Sequence, residues 1–148
     1  MGRRLLIMVT ILLVVGASTV YVLKETGRAK LLETVKLSKQ VDDFILHIRV
    51  ESTKEGIQVL RSLEYKGKDS VDLLHRTPLI SISLGRKHPN FTGSPVNKTL
   101  NPGDIYYPQE SKDYSTLEAG DYTLFVHCQF VLNNELIEIK TDEKVIMQ

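Results

Sequence analysis

Residues 117–130, with the sequence LEAGDYTLFVHCQF, form the stretch that best predicts the fold of this chain. Apolar and polar residues alternate along the second half of it. In an extended conformation one face would carry the following side chains: Tyr122, Leu124, Val126, Cys128 and Phe130. A period of two is typical of a strand with one buried and one exposed face. Asn133 and Asn134 come next, and because asparagine tolerates a positive φ angle, they predict a tight turn into an antiparallel strand.

Similar patterns occur on both sides of this stretch, between polar segments rich in glycine, proline and asparagine. They predict strands at 44–51, 57–65, 71–74, 79–84, around 100, 105–107, 122–130, 136–139 and 145–146. Residues 85–97 and 108–116 are predicted to be loops. About seven short strands joined by polar turns indicate a mostly β domain over residues 43–148. The expected fold is an antiparallel β-sandwich of the immunoglobulin-like (Ig-like) class.

A local motif supports this sandwich class. The spacing Leu117-x-x-Gly120-x-Tyr122 fits a tyrosine corner, in which a buried tyrosine hydroxyl bonds to the backbone a few residues upstream. Gly120 and Tyr122 are therefore predicted to be structural residues, although an ordinary inward-facing strand tyrosine remains an alternative for Tyr122. Tyr106 lies beside a proline turn, where we expect water to reach its hydroxyl.

Two turns carry a family resemblance. Leu100-Asn-Pro-Gly-Asp104, followed after a variable loop by Leu117-Glu-Ala-Gly-Asp-Tyr-Thr-Leu124, resembles the second half of the bacterial BsuPI-type proteinase-inhibitor domain and similar Ig-like modules. Those domains place a Leu-x-Pro-Gly-Glu turn before a Pro-Gly-x-Tyr corner. The resemblance extends over 45–146 in architecture. It implies an Ig-like fold, with inhibition or regulation of an envelope proteinase as one possible activity.

The N-terminal segment indicates a membrane anchor. Residues Leu5 to Leu23 carry no charge, and as a helix they would span roughly 28 Å, close to the thickness of the hydrocarbon core of a bilayer. Arg3 and Arg4 precede them, as in an export signal. We therefore predict a transmembrane helix, a signal anchor, within 1–23. The alternative is a signal peptide cut after Val15-Gly16-Ala17.

Residues 24–42 are predicted to be a stalk or linker, because the spacing of Leu31, Leu32 and Val35 suits a helix. The short basic tail before the anchor favours an extracytoplasmic C-terminal domain in the cell membrane of a bacterium. Basic residues from Lys24 onward would favour the opposite orientation, which stays open.

The composition and the absence of known motifs argue against several classes of function. The formal net charge is +1, so the domain lacks the basic field that nucleic-acid binding requires. A single cysteine, Cys128, excludes an internal disulfide and a multi-cysteine zinc site, and it is expected to be buried. No histidine pair has i, i+4 spacing, and no nucleophile or phosphate-loop motif occurs. We therefore expect no enzyme activity, metal site or small-molecule cofactor, and exposed or edge positions for the four histidines: His47, His75, His88 and His127.

The predicted loops hold the best binding candidates. Phe91, Tyr106 and Tyr107 lie in or beside them, and aromatic residues on loops supply contact area for recognition. The alternative is that these rings close the ends of the sandwich. The expected partners are the lipid bilayer, through the anchor, and an envelope protein. The sequence thus indicates a non-catalytic interaction or accessory module, with a proteinase inhibitor as the alternative.

Overall fold

A computed structural model describes residues 10–21 and 29–148. Residues 10–21 form an exposed helix, α1. Within these described ranges, no helix is both long enough and apolar enough to cross a membrane. The remainder of the predicted anchor, residues 1–9 and 22–23, lies outside the described residues, as does the first part of the predicted stalk, 24–28.

Ten strands make up the rest of the described chain. They are β1 (Val35–Val41), β2 (Phe44–Ser52), β3 (Gly56–Tyr65), β4 (Val71–Arg76), β5 (Ile80–Leu84), β6 (Pro95–Leu100), β7 (Ile105–Tyr106), β8 (Lys112–Ser115), β9 (Gly120–Leu132) and β10 (Glu135–Met147). The first sheet has the order β1-β2-β3-β7, and β8 also pairs with β3. The second has the order β10-β9-β4-β6, and β5 also pairs with β9. All pairings are antiparallel, so the prediction of a mostly β, two-sheet fold is confirmed.

The expected number of about seven strands is wrong, for two physical reasons. At two positions in the sheets, one strand is divided into two. β4 and β5 pair one after the other with β9, and Pro78 lies between them. In the same way β7 and β8 pair one after the other with β3, and Pro108 lies between them. Proline has no N–H to donate to a ladder, so it breaks a row into two strands. In addition, β8 lies within the predicted loop 108–116 and β6 begins within the predicted loop 85–97.

The core lies between the two sheets and contains the predicted inward faces. Phe44 of β2 contacts Phe130 of β9, with ring centroids 4.7 Å apart, and thereby joins the sheets. Other inward residues alternate along the strands and are almost fully buried: Leu46, Val50, Ile57, Val59, Leu63, Leu124, Val126, Cys128 and Ile139. The burial predicted for Cys128 is confirmed.

The β9–β10 hairpin is longer than predicted. Its turn is the predicted Asn133–Asn134 pair, with φ angles of 50° and 66°. From this turn β10 pairs with β9 without a break until Met147 lies opposite Gly120, whereas the sequence indicated two separate strands. The difference arises in residues 140–144, where polar residues occupy inward as well as outward register positions.

The sandwich begins earlier than the predicted boundary at residue 43. Ala29 and Leu31 are buried in the core, and Leu31 forms a bridge with Met147 at the edge of β10. The chain then crosses to the other sheet as β1, which pairs with β2 along its whole length. A helical stalk is therefore wrong for residues 35–41, because pairing with β2 outweighs a spacing that suits a helix equally well.

This boundary gives a first prediction. Replacing Leu31 with alanine should lower the free energy of unfolding of the fragment 29–148 by about 2 kcal/mol, since a buried side chain is lost at the edge of the core. Leu32 is 53% exposed, so Leu32→Ala serves as the matched control and should change stability by less than about 0.5 kcal/mol. Urea unfolding measures both. Equal midpoints for the two variants would contradict the assignment of Leu31 to the core.

Candidate functional site

A connected row of polar side chains lies on the outer face of the first sheet. Ser38 of β1, His47 of β2 and Glu64 of β3 lie on adjacent strands, all at outward register positions. The Ser38 hydroxyl lies 2.8 Å from Nδ1 of His47, and Nε2 of the same ring lies 2.7 Å from Oε2 of Glu64. Lys66 pairs with the other carboxylate oxygen at 2.5 Å. Hydrogen bonds from Lys66 and then from His47 lower the pKa of Glu64.

This row has the order of a serine–histidine–acid triad, but the second sheet contains a similar arrangement that includes no serine. There, Nε2 of His127 lies 2.8 Å from Oε1 of Glu138, and Lys140 pairs with the same oxygen at 2.9 Å. That arrangement repeats the histidine, carboxylate and lysine without a serine. Since cross-strand polar pairs of this kind stabilise antiparallel sheets, we interpret both rows as surface ladders.

An apolar groove lies beside the row of Ser38, His47 and Glu64. Leu60 of β3, Ile105 of β7 and Tyr107 just after β7 line it together with that row. Their exposed fractions are 37%, 48% and 70%, respectively. We call these three side chains the Tyr107 patch. Its edge carries basic groups from β1 and β2, Lys36 and Arg49, which are register partners. The face therefore combines an apolar centre with a charged rim, as protein-binding surfaces do.

The structure separates the three aromatic residues predicted to bind a partner. Tyr107 lies on the outer face of the first sheet. Tyr106 occupies the adjacent inward register position, opposite Leu63. Phe91 lies against His127 of the second sheet, with ring centroids 4.9 Å apart and an interplanar angle of 83°. The three residues do not form one site, and only Tyr107 lies in the groove.

Tyr106 instead forms a hydrogen bond with His75, a buried residue that the sequence analysis placed at an exposed or edge position. His75 is only 4% exposed, not at an exposed or edge position as expected. Its Nδ1 lies 2.9 Å from the Arg76 carbonyl, which can only accept, and its Nε2 lies 3.0 Å from the Tyr106 hydroxyl. In the neutral ring Nε2 then accepts from Tyr106. Burial raises the pKa of this tyrosine. The inward register of Leu73 and His75 in β4 was the sequence signal for this contact.

The turn before β9 contains the predicted hydrogen bond of a tyrosine corner. The Tyr122 hydroxyl donates to the Glu118 carbonyl at 3.1 Å. Gly120 has a φ angle of 155°, which residues with a side chain rarely adopt. The bond is exposed to solvent, however, so the expectation of a buried hydroxyl is wrong. The crossing between the sheets is therefore less dependent on this bond than the sequence suggested.

Known proteins supply no further guidance to the site. Comparisons with protein-family models, with curated proteins and with solved structures found no match to this chain. Within the described residues, no group of three or more histidine, cysteine or acidic side chains could hold a metal ion. The function must therefore be argued from the surface geometry.

The two tyrosines give a second prediction, opposite in order to the sequence expectation. Tyr106→Phe should destabilise the domain by about 1–2 kcal/mol, because it leaves Nε2 of buried His75 without a partner. Tyr122→Phe should cost no more than about 0.5 kcal/mol, because water replaces the exposed bond to Glu118. Chemical denaturation of both variants measures the difference. A larger loss for Tyr122→Phe would contradict this assignment of the buried bond.

Proposed function

We propose that this chain is a membrane-anchored, extracytoplasmic Ig-like domain that binds a protein partner in the bacterial envelope and has no catalytic role. The observation that carries the proposal is the Tyr107 patch on the outer face of the first sheet. Three exposed apolar side chains in one groove, with lysine and arginine at its edge, are more than the isolated exposed apolar residues of an ordinary surface.

The strand order supports the Ig-like class. With the interrupted rows β4–β5 and β7–β8 each taken as one strand, and β1 as an addition at the edge, seven sandwich strands remain. The chain changes sheet between β3 and β4, between β6 and β7, and between β8 and β9, as in a Greek key. The bond from Tyr122 to Glu118 lies at the last of these crossings, at the start of β9, where Ig-like domains have their tyrosine corner.

Membrane anchoring rests on the N-terminal sequence. The uncharged run from Leu5 to Leu23, preceded by Arg3 and Arg4, suits a signal anchor that remains attached. Leu31 already belongs to the sandwich core, so few residues separate the proposed anchor from the domain. A short connection would keep the domain close to the membrane surface, within reach of other anchored envelope proteins.

The second sheet carries a competing apolar row. Leu74 of β4, Val131 of β9 and Leu136 of β10 are register partners on its outer face, and Leu74 and Leu136 are exposed. The Tyr107 patch, in contrast, lies in a groove with Lys36 and Arg49 at its edge. A partner with an apolar centre flanked by carboxylates would be recognised better at the Tyr107 patch, since complementary charge favours specific encounter.

The third prediction concerns the anchor and the side of the membrane. The native Cys128 is fully buried, and burial raises the pKa of its thiol, so it should not react with a maleimide. Exposed Lys68, replaced by cysteine, then becomes the only reporter. We expect a membrane-impermeant maleimide to label K68C in intact cells but not to label the wild type. We also expect the labelled chain to resist carbonate extraction with residues 1–23 still present by mass.

Two results would contradict this prediction. Labelling of K68C only after the cells are permeabilised would place the domain on the cytoplasmic side. A mature N-terminus near Ser18 would indicate a cleaved signal peptide instead of an anchor.

The fourth prediction tests the Tyr107 patch in cells. A photo-crosslinking residue at position 107 should give a discrete adduct with one protein, because Tyr107 is the most exposed member of the patch. The adduct should be lost when Ile105→Glu is added, since a charge at the centre of an apolar interface cannot be desolvated cheaply. The matched control is the same crosslinker at position 136, on the outer face of the other sheet.

The contrary outcomes are distinct. An adduct at position 136 but not at 107 would move the interface to the second sheet. Labelling of Ser38 by a fluorophosphonate, with loss of labelling in His47→Ala, would show that the polar row is catalytic and would contradict the non-catalytic proposal.

A further inference from the structure

A second surface lies where the free edge of β5 faces β3 and β8, and of the described residues that line it only Arg61 also lines the groove of the Tyr107 patch. Side chains from all these parts of the fold line a cleft, which we call the Arg61 cleft: Arg61, Arg86, His88, Lys112 and Tyr114 among them. None of the described residues that line it is an aspartate or a glutamate. The concentration of basic groups is unusual for a chain whose formal net charge is only +1.

Arg61 is the innermost of these groups. It occupies an inward register position in β3, opposite the buried Ile48, and its side chain lines the cleft. One of its five N–H donors has a described partner: Nη2 donates to the Glu110 carbonyl at 3.2 Å. Its Nε is buried and has no hydrogen-bond partner among the described residues. Burial lowers the pKa of Arg61, so its charge is retained against a desolvation cost.

Lys112 brings a second cation to the same cleft. Its Nζ donates to the Ile82 carbonyl at 3.2 Å and lies 5.2 Å from the centre of the Tyr114 ring. The Tyr114 hydroxyl donates to the same carbonyl at 3.4 Å. Burial first, and then the charge of Arg61, lower the pKa of Lys112. The two cations therefore repel one another across the cleft, and no described carboxylate offsets that repulsion.

Three lysines elsewhere in the described chain have acidic partners. Lys66 pairs with Glu64, Lys140 with Glu138 and Lys144 with Asp121. Partly buried charges are normally paired, because removing a charge from water without a counter-charge is costly. Arg61 and Lys112 lie in one cleft without an acidic partner among the described residues. Their counter-charge would therefore be supplied by a bound anion.

We propose that the Arg61 cleft binds a phosphate group, either as free phosphate or as a phosphomonoester. A phosphate group carries more than one negative charge at neutral pH, about −1.5 to −2 for a phosphomonoester, and can offset both Arg61 and Lys112, whereas a single carboxylate balances only one of them. Arginine presents paired N–H donors that match the oxygens of phosphate, and lysine acts as a point charge beside it. Exposed Arg86 lies at the mouth of the cleft, where it would attract the anion. This proposal does not depend on the protein-binding role of the Tyr107 patch.

The test is titration calorimetry of the full chain in a phosphate-free buffer with a non-ionic detergent. Inorganic phosphate and glycerol 3-phosphate are the two probes, and acetate is the carboxylate comparison. We expect saturable binding of at least one phosphate probe to a single site. The tighter of the two probes distinguishes free phosphate from a phosphomonoester, and either result supports the proposal.

Two lysine variants decide whether the cleft is the site. Lys112→Gln should weaken phosphate binding by about tenfold or more, because it removes one of the two balancing charges. Lys98→Gln is the matched control, since Nζ of Lys98 lies 5.1 Å from the centre of the Tyr106 ring, almost the same cation–aromatic geometry outside the cleft. It should leave binding unchanged. Circular dichroism of both variants verifies that they fold, and Arg86→Gln replaces Lys112→Gln if the latter does not.

Three outcomes would overturn the proposal. The first is the absence of saturable binding by either phosphate probe. The second is binding of acetate as tight as that of phosphate, which would assign the cleft to carboxylates. The third is an equal loss of affinity in the Lys98→Gln control, which would indicate non-specific attraction to a basic surface.

Discussion

The rest of the structure depends on the register of β9. This strand pairs with β10 along one edge and with β4 and β5 along the other, so it occupies the centre of its sheet. Because its side chains alternate strictly, a shift by one residue would exchange its buried apolar face for its polar face. The register also places Phe130 against Phe44 and thereby seats the first sheet on the second. The outward positions of β10 and β5 follow from this register, as does that of His127.

Strands with one fully buried face were predicted well from the sequence. Strands that are held mainly by pairing with a segment remote in sequence were predicted poorly. β2, β3 and β9 carry clear alternation, and their inward faces were identified correctly. β8 has a single half-buried aromatic residue, Tyr114, among polar neighbours, so its sequence is typical of a loop. Its strand conformation depends on pairing with β3. The segment around Leu31 and Val35 fits a helical spacing as well as a strand. Its conformation is decided by Met147 and β2, both of which are remote in sequence.

The candidate site was predictable only in part, for the same reason. The sequence located an aromatic pair at 106–107, but successive residues of a strand point to opposite faces, so the two rings could not serve one surface. Which ring faces outward depends on the pairing of Tyr106 with Leu63. The position of Phe91 depends on a loop held across the second sheet by bonds from the Asn90 and His88 N–H groups to serine hydroxyls of β5. The row through Ser38 requires β1, which the sequence assigned to a stalk.

His75 and Arg61 both occupy inward register positions, and comparing these two polar side chains separates a structural role from a binding role. His75 is almost fully buried, and both of its ring nitrogens have partners supplied by the fold, the Arg76 carbonyl and the Tyr106 hydroxyl. Arg61 is less deeply buried, carries a charge and retains an unpartnered Nε beside a second cation. A fold that satisfies one inward polar group so completely could satisfy the other with a single acidic residue on β5 or β8. Since the described residues of the cleft include none, the missing negative charge must come from outside the domain for Arg61 and Lys112 to be balanced.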